Sequence, residues 1–211
     1  MEPRYLRPYN ILGVFVFLEV INIKIPLRYQ MTKVDCGPTT FTNAISYLFE
    51  REEIPAEALK AIYQYTLDMY GKSGRASGTS RQATSHLSYW FNEFSSKHKF
   101  KLKSEWFSGR EVDINFLKKE LTDNSVIVLR VWSVYEHYVL VTKIDDDYVY
   151  LFDSYYELAK TYKNDSNIKV ISDEMYYNRK VKTERLDSLD SSKVYAMGEL
   201  EKRECIIMRR I

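Results

Sequence analysis

The sequence predicts an α+β domain with an N-terminal helical layer packed on a C-terminal antiparallel β-sheet. Three observations carry that reading. Apolar residues recur at helical spacing between residues 39 and 95. From Ser125 onward the texture changes to short, continuous apolar runs of strand length. Two of those runs, 138–144 and 148–152, are joined by the tight acidic turn Asp145-Asp146-Asp147, a hairpin signature. Helices followed by strands predict segregated layers rather than alternating βαβ units.

Along the chain, residues 1–26 read as an N-terminal strand or arm and 27–211 as one domain. Its helical half covers about 36–121 and its sheet half about 125–211. Arg4 and Arg7 precede the apolar run 11–18, which Glu19 interrupts. That run is short of the ~20 apolar residues that span a bilayer. Its charge order matches a signal peptide, but no small-residue cleavage site follows. Val, Ile and Phe dominate 14–25, so the expectation is a buried strand or packed arm without stable membrane insertion. Secretion or membrane association through this segment is the lesser alternative.

Pro26 keeps 23–31 extended. Residues 35–38 form a turn, and Pro38 suits the first turn of a helix over 39–50. Phe41, Ala44, Ile45, Leu48 and Phe49 face inward on that helix. A second helix is predicted over 56–70, with Leu59, Ile62, Tyr63, Thr66 and Leu67 on one face. Residues 71–78 hold three of the seven glycines and read as a loop. Thr79 or Ser80 caps a third helix to about residue 95, and a short fourth covers 113–121. Residues 125–131 form a buried strand. The stretch 154–192 is polar and irregular, and 204–208 closes the sheet.

Composition narrows the function. The chain has 211 residues, 45% of them apolar and 28% charged, which supports a real core and excludes wholesale disorder. Lys+Arg is 31 and Asp+Glu is 29, for a net charge of +2. That balance offers no electrostatic case for a nucleic acid or an acidic membrane surface as partner. Two cysteines far apart make neither a disulfide framework nor a zinc site, so reduced thiols and a cytoplasmic setting are the default. His86 and His98 lie on or just after a polar helix without carboxylates at metal-ligand spacing. The acidic turn lacks the Gly and distal Glu of an EF-hand loop. No metal or organic cofactor is expected.

Four residues carry chemistry. Cys36 sits at a helix start outside the core, where free N–H groups and the helix dipole favour a thiolate. His137 opens an apolar strand. Asp153 ends the return strand of the same hairpin, 16 residues later, so imidazole and carboxylate meet by hairpin geometry. Gln30, six residues before Cys36, brings a neutral amide donor that, with the Cys36 N–H, makes an oxyanion hole. Taken singly, each has an ordinary structural reading. Cys205, in Cys-Ile-Ile-Met, reads as a core residue. Trp132, Tyr155 and Tyr156 are candidates to line a substrate groove, and the Gly-rich segment 71–80 to gate it from the helical side.

The chain order Gln, Cys, His, Asp is the plan of papain-like cysteine peptidases. The segment Gln30-Met31-Thr32-Lys33-Val34-Asp35-Cys36-Gly37-Pro38-Thr39 resembles the nucleophile motif of the bacteriocin-processing, double-glycine leader peptidases and their stand-alone relatives without a transporter. His137-Tyr138-Val139-Leu140-Val141 and the run from Asp145 to Asp153 resemble that family's second motif. Asp153-Ser154 stands where the family often has Asp-Pro. The resemblance implies a papain-like fold and a peptide or protein substrate. It also implies Cys36 as nucleophile, His137 as base and acid, Asp153 as orienting carboxylate and Gln30 in the oxyanion hole. Leader-peptide processing is the family task. An acyltransferase using the same triad and a non-catalytic peptide-binding module on the same fold are the alternatives.

Overall fold

The computed structural model describes the backbone of residues 7–11 and 14–18, and residues 25–211. Strands β1 (Arg7–Ile11) and β2 (Val14–Leu18) pair antiparallel. The rest of the expected arm, up to residue 24, lies outside the described residues. The helices that follow are α1 (Cys36–Leu48), α2 (Ala56–Tyr65) and α3 (Arg81–Lys97). Strands β3 (Met69–Tyr70) and β4 (Ala76–Gly78) form a small hairpin within the Gly-rich segment that the sequence reads as a loop.

The main sheet has seven strands. They are β5 (Leu102–Ser108), β6 (Ser125–Trp132), β7 (Glu136–Ile144), β8 (Tyr148–Phe152), β9 (Ile168–Val170), β10 (Arg179–Lys182) and β11 (Glu204–Arg210). Their spatial order is β5-β11-β6-β7-β8-β10-β9, and every neighbouring pair is antiparallel. Helix α4 (Ile114–Glu120) lies between β5 and β6, and a single turn, α5 (Thr183–Leu186), follows β10. No helix among the described residues is long and apolar enough to cross a membrane.

The continuous apolar strands are covered on both faces. Val126, Val128, Leu140, Phe152, Ile206 and Met208 meet Phe41, Ile45, Ile62, Leu87 and Phe91 of the helical layer. The alternate residues Ile127, Leu129, Val139, Val141, Leu151 and Ile207 meet Leu117, Leu186, Tyr195 and Met197. This is the period-two split that a buried strand imposes. Two expectations need correction here. Leu102–Ser108, placed within the helical half, is an edge strand of the sheet. Helix α4, also placed there, packs on the opposite face.

Helix α2 stops five residues earlier than expected. The Thr66 hydroxyl and N–H both bond back to the Ile62 carbonyl, at 2.6 and 3.0 Å. Leu67 then takes a left-handed φ of 63°, which ends the helix. The buried face is Ala58, Ala61 and Ile62, while Tyr63 is exposed. At the start of α3 the Ser80 hydroxyl accepts from the Ala83 N–H, as the capping signal implied.

Candidate active site

Cys36 is the first residue of α1, and it lies inside the first core rather than outside it. Three side chains shape its approach. The Asp35 carboxylate leaves the helix uncapped and turns back instead. It accepts from the N–H groups of Met31 (3.1 Å) and Thr32 (2.8 Å) and from the Thr32 hydroxyl (2.6 Å). Asn43, about two turns further along the same face of α1, grips the Arg28 backbone at both its N–H (2.8 Å) and its carbonyl (2.9 Å). At Gly37 a Cβ would lie 2.2 Å from Thr79 Oγ1, so only glycine lets the segment before α3 close on the start of α1. Through that contact the end of the Gly-rich segment reaches the neighbour of Cys36.

His137 and Asp153 come together on the hairpin. Leu140 is opposite Phe152, so the next residue, Asp153, falls within diagonal reach of His137. The distance from His137 Nε2 to Asp153 Oδ1 is 2.6 Å. The other ring nitrogen is left for Cys36, whose sulfur receives hydrogen bonds from His137 and from the N–H groups of Tyr138 and Gly37. Thr40 on α1 reinforces the junction by donating to the Tyr138 carbonyl at 3.0 Å.

The electrostatics are concerted. Burial pushes the Cys36 thiol up, but the hydrogen bond and charge of His137 and the two N–H donors bring it below its ordinary value. Burial pushes His137 down, yet the Asp153 carboxylate, with Cys36, raises it to about 10. Burial also pushes Asp153 up, and His137, the Tyr195 hydroxyl and the Tyr155 N–H hold it below the usual carboxylate range. All three directions favour thiolate, imidazolium and carboxylate together.

Three further residues hold Asp153, and sequence reasoning missed them. The Tyr195 hydroxyl donates to Asp153 Oδ2 at 2.7 Å. Arg179 Nε donates to that same hydroxyl oxygen at 3.2 Å. Asn178 brackets the Asp153 backbone, accepting from its N–H and donating to its carbonyl, both at 2.8 Å. One signal was present. In Arg179-Lys180-Val181-Lys182 the alternation puts Arg179 on the side of the apolar Val181, which makes a buried arginine.

Gln30 lies beside the hairpin end. Its N–H donates to the Ser154 carbonyl (2.9 Å), its Oε1 accepts from the Ser154 hydroxyl (2.9 Å), and its Nε2 donates to the Thr32 carbonyl (2.7 Å). An amide nitrogen has two hydrogens, so one N–H of Nε2 remains beyond the Thr32 bond. Tyr155 donates its N–H to Asp153 Oδ1 at 2.8 Å. The exposed Tyr156 ring stands edge-on to Tyr29 at 5.3 Å, and Tyr29 packs on Phe152 at 5.4 Å. Trp132 is held against Gly198, where a Cβ would lie 2.5 Å from its Nε1. Its contact is thus with the loop that carries Tyr195. Among the described residues no three His, Cys, Asp or Glu side chains converge as a metal site.

The model of the Peptidase_C39 like family matches residues 22–183 of this sequence. No curated protein matches it. One similar solved structure is the crystal structure of a double glycine motif protease from an AMS/PCAT transporter in complex with the leader peptide. The two are 13% identical with a TM-score of 0.47, and the match covers 89% of this chain and 93% of that one.

Proposed function

The chain belongs to the Peptidase_C39 like family, and from that premise we propose that it is a thiol hydrolase that cleaves a peptide bond through Cys36, His137 and Asp153. One observation carries the reading: the His137 ring is hydrogen-bonded to Asp153 on one side and to Cys36 on the other. The Cys36 thiolate attacks the scissile carbonyl carbon. The oxyanion that forms is held by the Cys36 N–H and the remaining N–H of Gln30. His137 gives its proton to the leaving amine as the C–N bond breaks, which leaves a thioester on Cys36. A water then attacks the thioester while His137 takes its proton, and the acid leaves. Asp153 keeps the imidazole oriented throughout and stabilises it in each step at which it carries the proton. Residues 27–211 act as the catalytic unit, and the sequence resemblance favours a leader peptide as substrate.

The test uses iodoacetamide, which needs only a thiolate. At pH 6 Cys36 should be alkylated faster than free glutathione, with the site identified by peptide mass spectrometry. His137→Ala should remove the advantage, and Cys36→Ala should abolish cleavage of any peptide the wild type cuts. A Cys36 no faster than glutathione overturns the proposal.

A further inference from the structure

Behind Asp153 the two fully buried residues Tyr195 and Arg179 continue the line of hydrogen bonds. We propose that they are positioning residues for the thiolate–imidazolium pair: Arg179 fixes the direction of the Tyr195 hydroxyl, and that hydroxyl fixes the Asp153 carboxylate against His137. The inference rests on the triad reading and extends it inward.

The chemistry of the donors gives the direction. An arginine N–H only donates, so the Tyr195 oxygen must accept from Arg179 Nε. The phenolic proton is thereby aimed away from Arg179, and Asp153 Oδ2 at 2.7 Å receives it. Oδ1 is already occupied by His137 and the Tyr155 N–H. The carboxylate is consequently held at both oxygens and cannot rotate away from the imidazole.

Two independent observations support a dedicated arrangement. Tyr195 has a φ of 65°, a left-handed conformation that is strained for a bulky residue. It is held there by the end of β6, where the Trp132 carbonyl accepts its N–H at 2.6 Å and the Trp132 N–H donates to Ala196 at 2.8 Å. Arg179, for its part, is a buried cation whose other bonds go to the carbonyls of Asn178 (2.8 Å) and Glu157 (3.5 Å). Among its described contacts there is no carboxylate. The anion facing it is Asp153, one phenol away, so opposite charges alternate along the line Arg179, Asp153, His137, Cys36. Such alternation offsets the cost of burying each charge.

The other ionisable groups near this line are Tyr162, whose hydroxyl is 3.4 Å from that of Tyr195, and Glu157 on the same connection. On the helical side Tyr138 faces Glu204 and Arg130. None of these contacts His137 or Asp153 through a side-chain hydrogen bond among the described residues.

The experiment is the pH dependence of iodoacetamide alkylation of Cys36 in the full chain. Tyr195→Phe removes one hydroxyl and Arg179→Gln removes the charge. Either change weakens Asp153's hold on the imidazolium, and the thiolate then forms at higher pH. The midpoint should rise by about half a unit or more, a roughly threefold or greater loss of rate at any pH below the wild-type midpoint. Arg179→Lys, which keeps the charge, should shift it less. Thermal melts identify which variants are folded. If Tyr195→Phe does not fold, the Arg179 variants decide by the same criterion. An unchanged midpoint in folded variants overturns the inference, and so does failure of both to fold, which makes the pair purely structural. A wild-type Cys36 that titrates like a free thiol instead overturns the triad reading itself.

Discussion

Cys36 and Cys205 are both buried thiols, and their surroundings send them in opposite directions. Burial and the neighbouring Glu204 drive Cys205 far up, while His137 brings Cys36 down against its own desolvation. Alkylation should therefore label Cys36 and spare Cys205 at neutral pH, which a mass-spectrometric time course checks. The pH dependence of stability follows from the partners. Asp153 is lowered on folding, so its contribution exists above the unfolded value of about 3.9 and fades as pH falls through the folded one. His137 is raised to about 10, so its contribution is complete below its unfolded value and fades as pH climbs toward 10. Asp153→Asn removes both. The stability gap between it and the wild type, measured by urea unfolding, should be widest between roughly pH 4 and 6.5 and should narrow steadily towards pH 10. A gap that stays constant over that range would show that the ion pair is not what Asp153 supports.

Helix α1 positions both halves of the proposed chemistry: its first residue is the proposed nucleophile, and Asn43 holds the segment that leads to Gln30. This allows the two to be separated. Asn43→Leu frees the Arg28 backbone and loosens Gln30 while leaving Cys36 and His137 in contact. Peptide cleavage should drop toward the roughly 10²–10³ loss expected of an absent oxyanion donor, with iodoacetamide reactivity at pH 6 almost unchanged. Equal losses in both assays would mean that Asn43 supports the helix start as a whole. The sequence made α1 and the β7–β8 hairpin legible because their apolar periods are clean. Strand β5 was hidden by Ser104, a polar residue in an inward position that bonds Ser88 and Asn92 across the layer at 2.7 to 2.9 Å. Strand β10 was hidden by Arg179 in the same way. A buried polar residue whose partners lie far off in sequence breaks the very alternation that would reveal it, which is why Tyr195 and Arg179 were missed while Cys36, His137 and Asp153 were not.

At the scale of the whole molecule, the sheet needs a cover on the face opposite the helical layer, and that cover carries Tyr195. Much of it is loop, from α5 to the start of β11, so apolar burial alone does not fix its path. Arg203 supplies the fixing. Its side chain is 1% exposed and donates to the carbonyls of Gly198 (3.0 Å), Val112 (3.0 Å) and Asp187 (2.7 Å) and to the Asp187 carboxylate (2.6 Å). These bonds join the loop after α5, the loop before α4 and the residue that leads into β11. Arg203→Met keeps much of the volume but strands the buried carbonyls of Gly198 and Val112 and the half-buried carbonyl and carboxylate of Asp187. The cost should be about 3 kcal/mol or more, read as a drop in Tm of roughly 6–12 °C for a chain of this size. The loss should be uneven. Amide exchange should rise first around 187–198, with the helical layer still protected, and Cys36 alkylation at pH 6 should slow in the folded variant because Tyr195 is no longer held behind Asp153. A uniform rise in exchange with unaltered thiol reactivity would show instead that Arg203 stabilises the domain as one unit and that the site is independent of this cover.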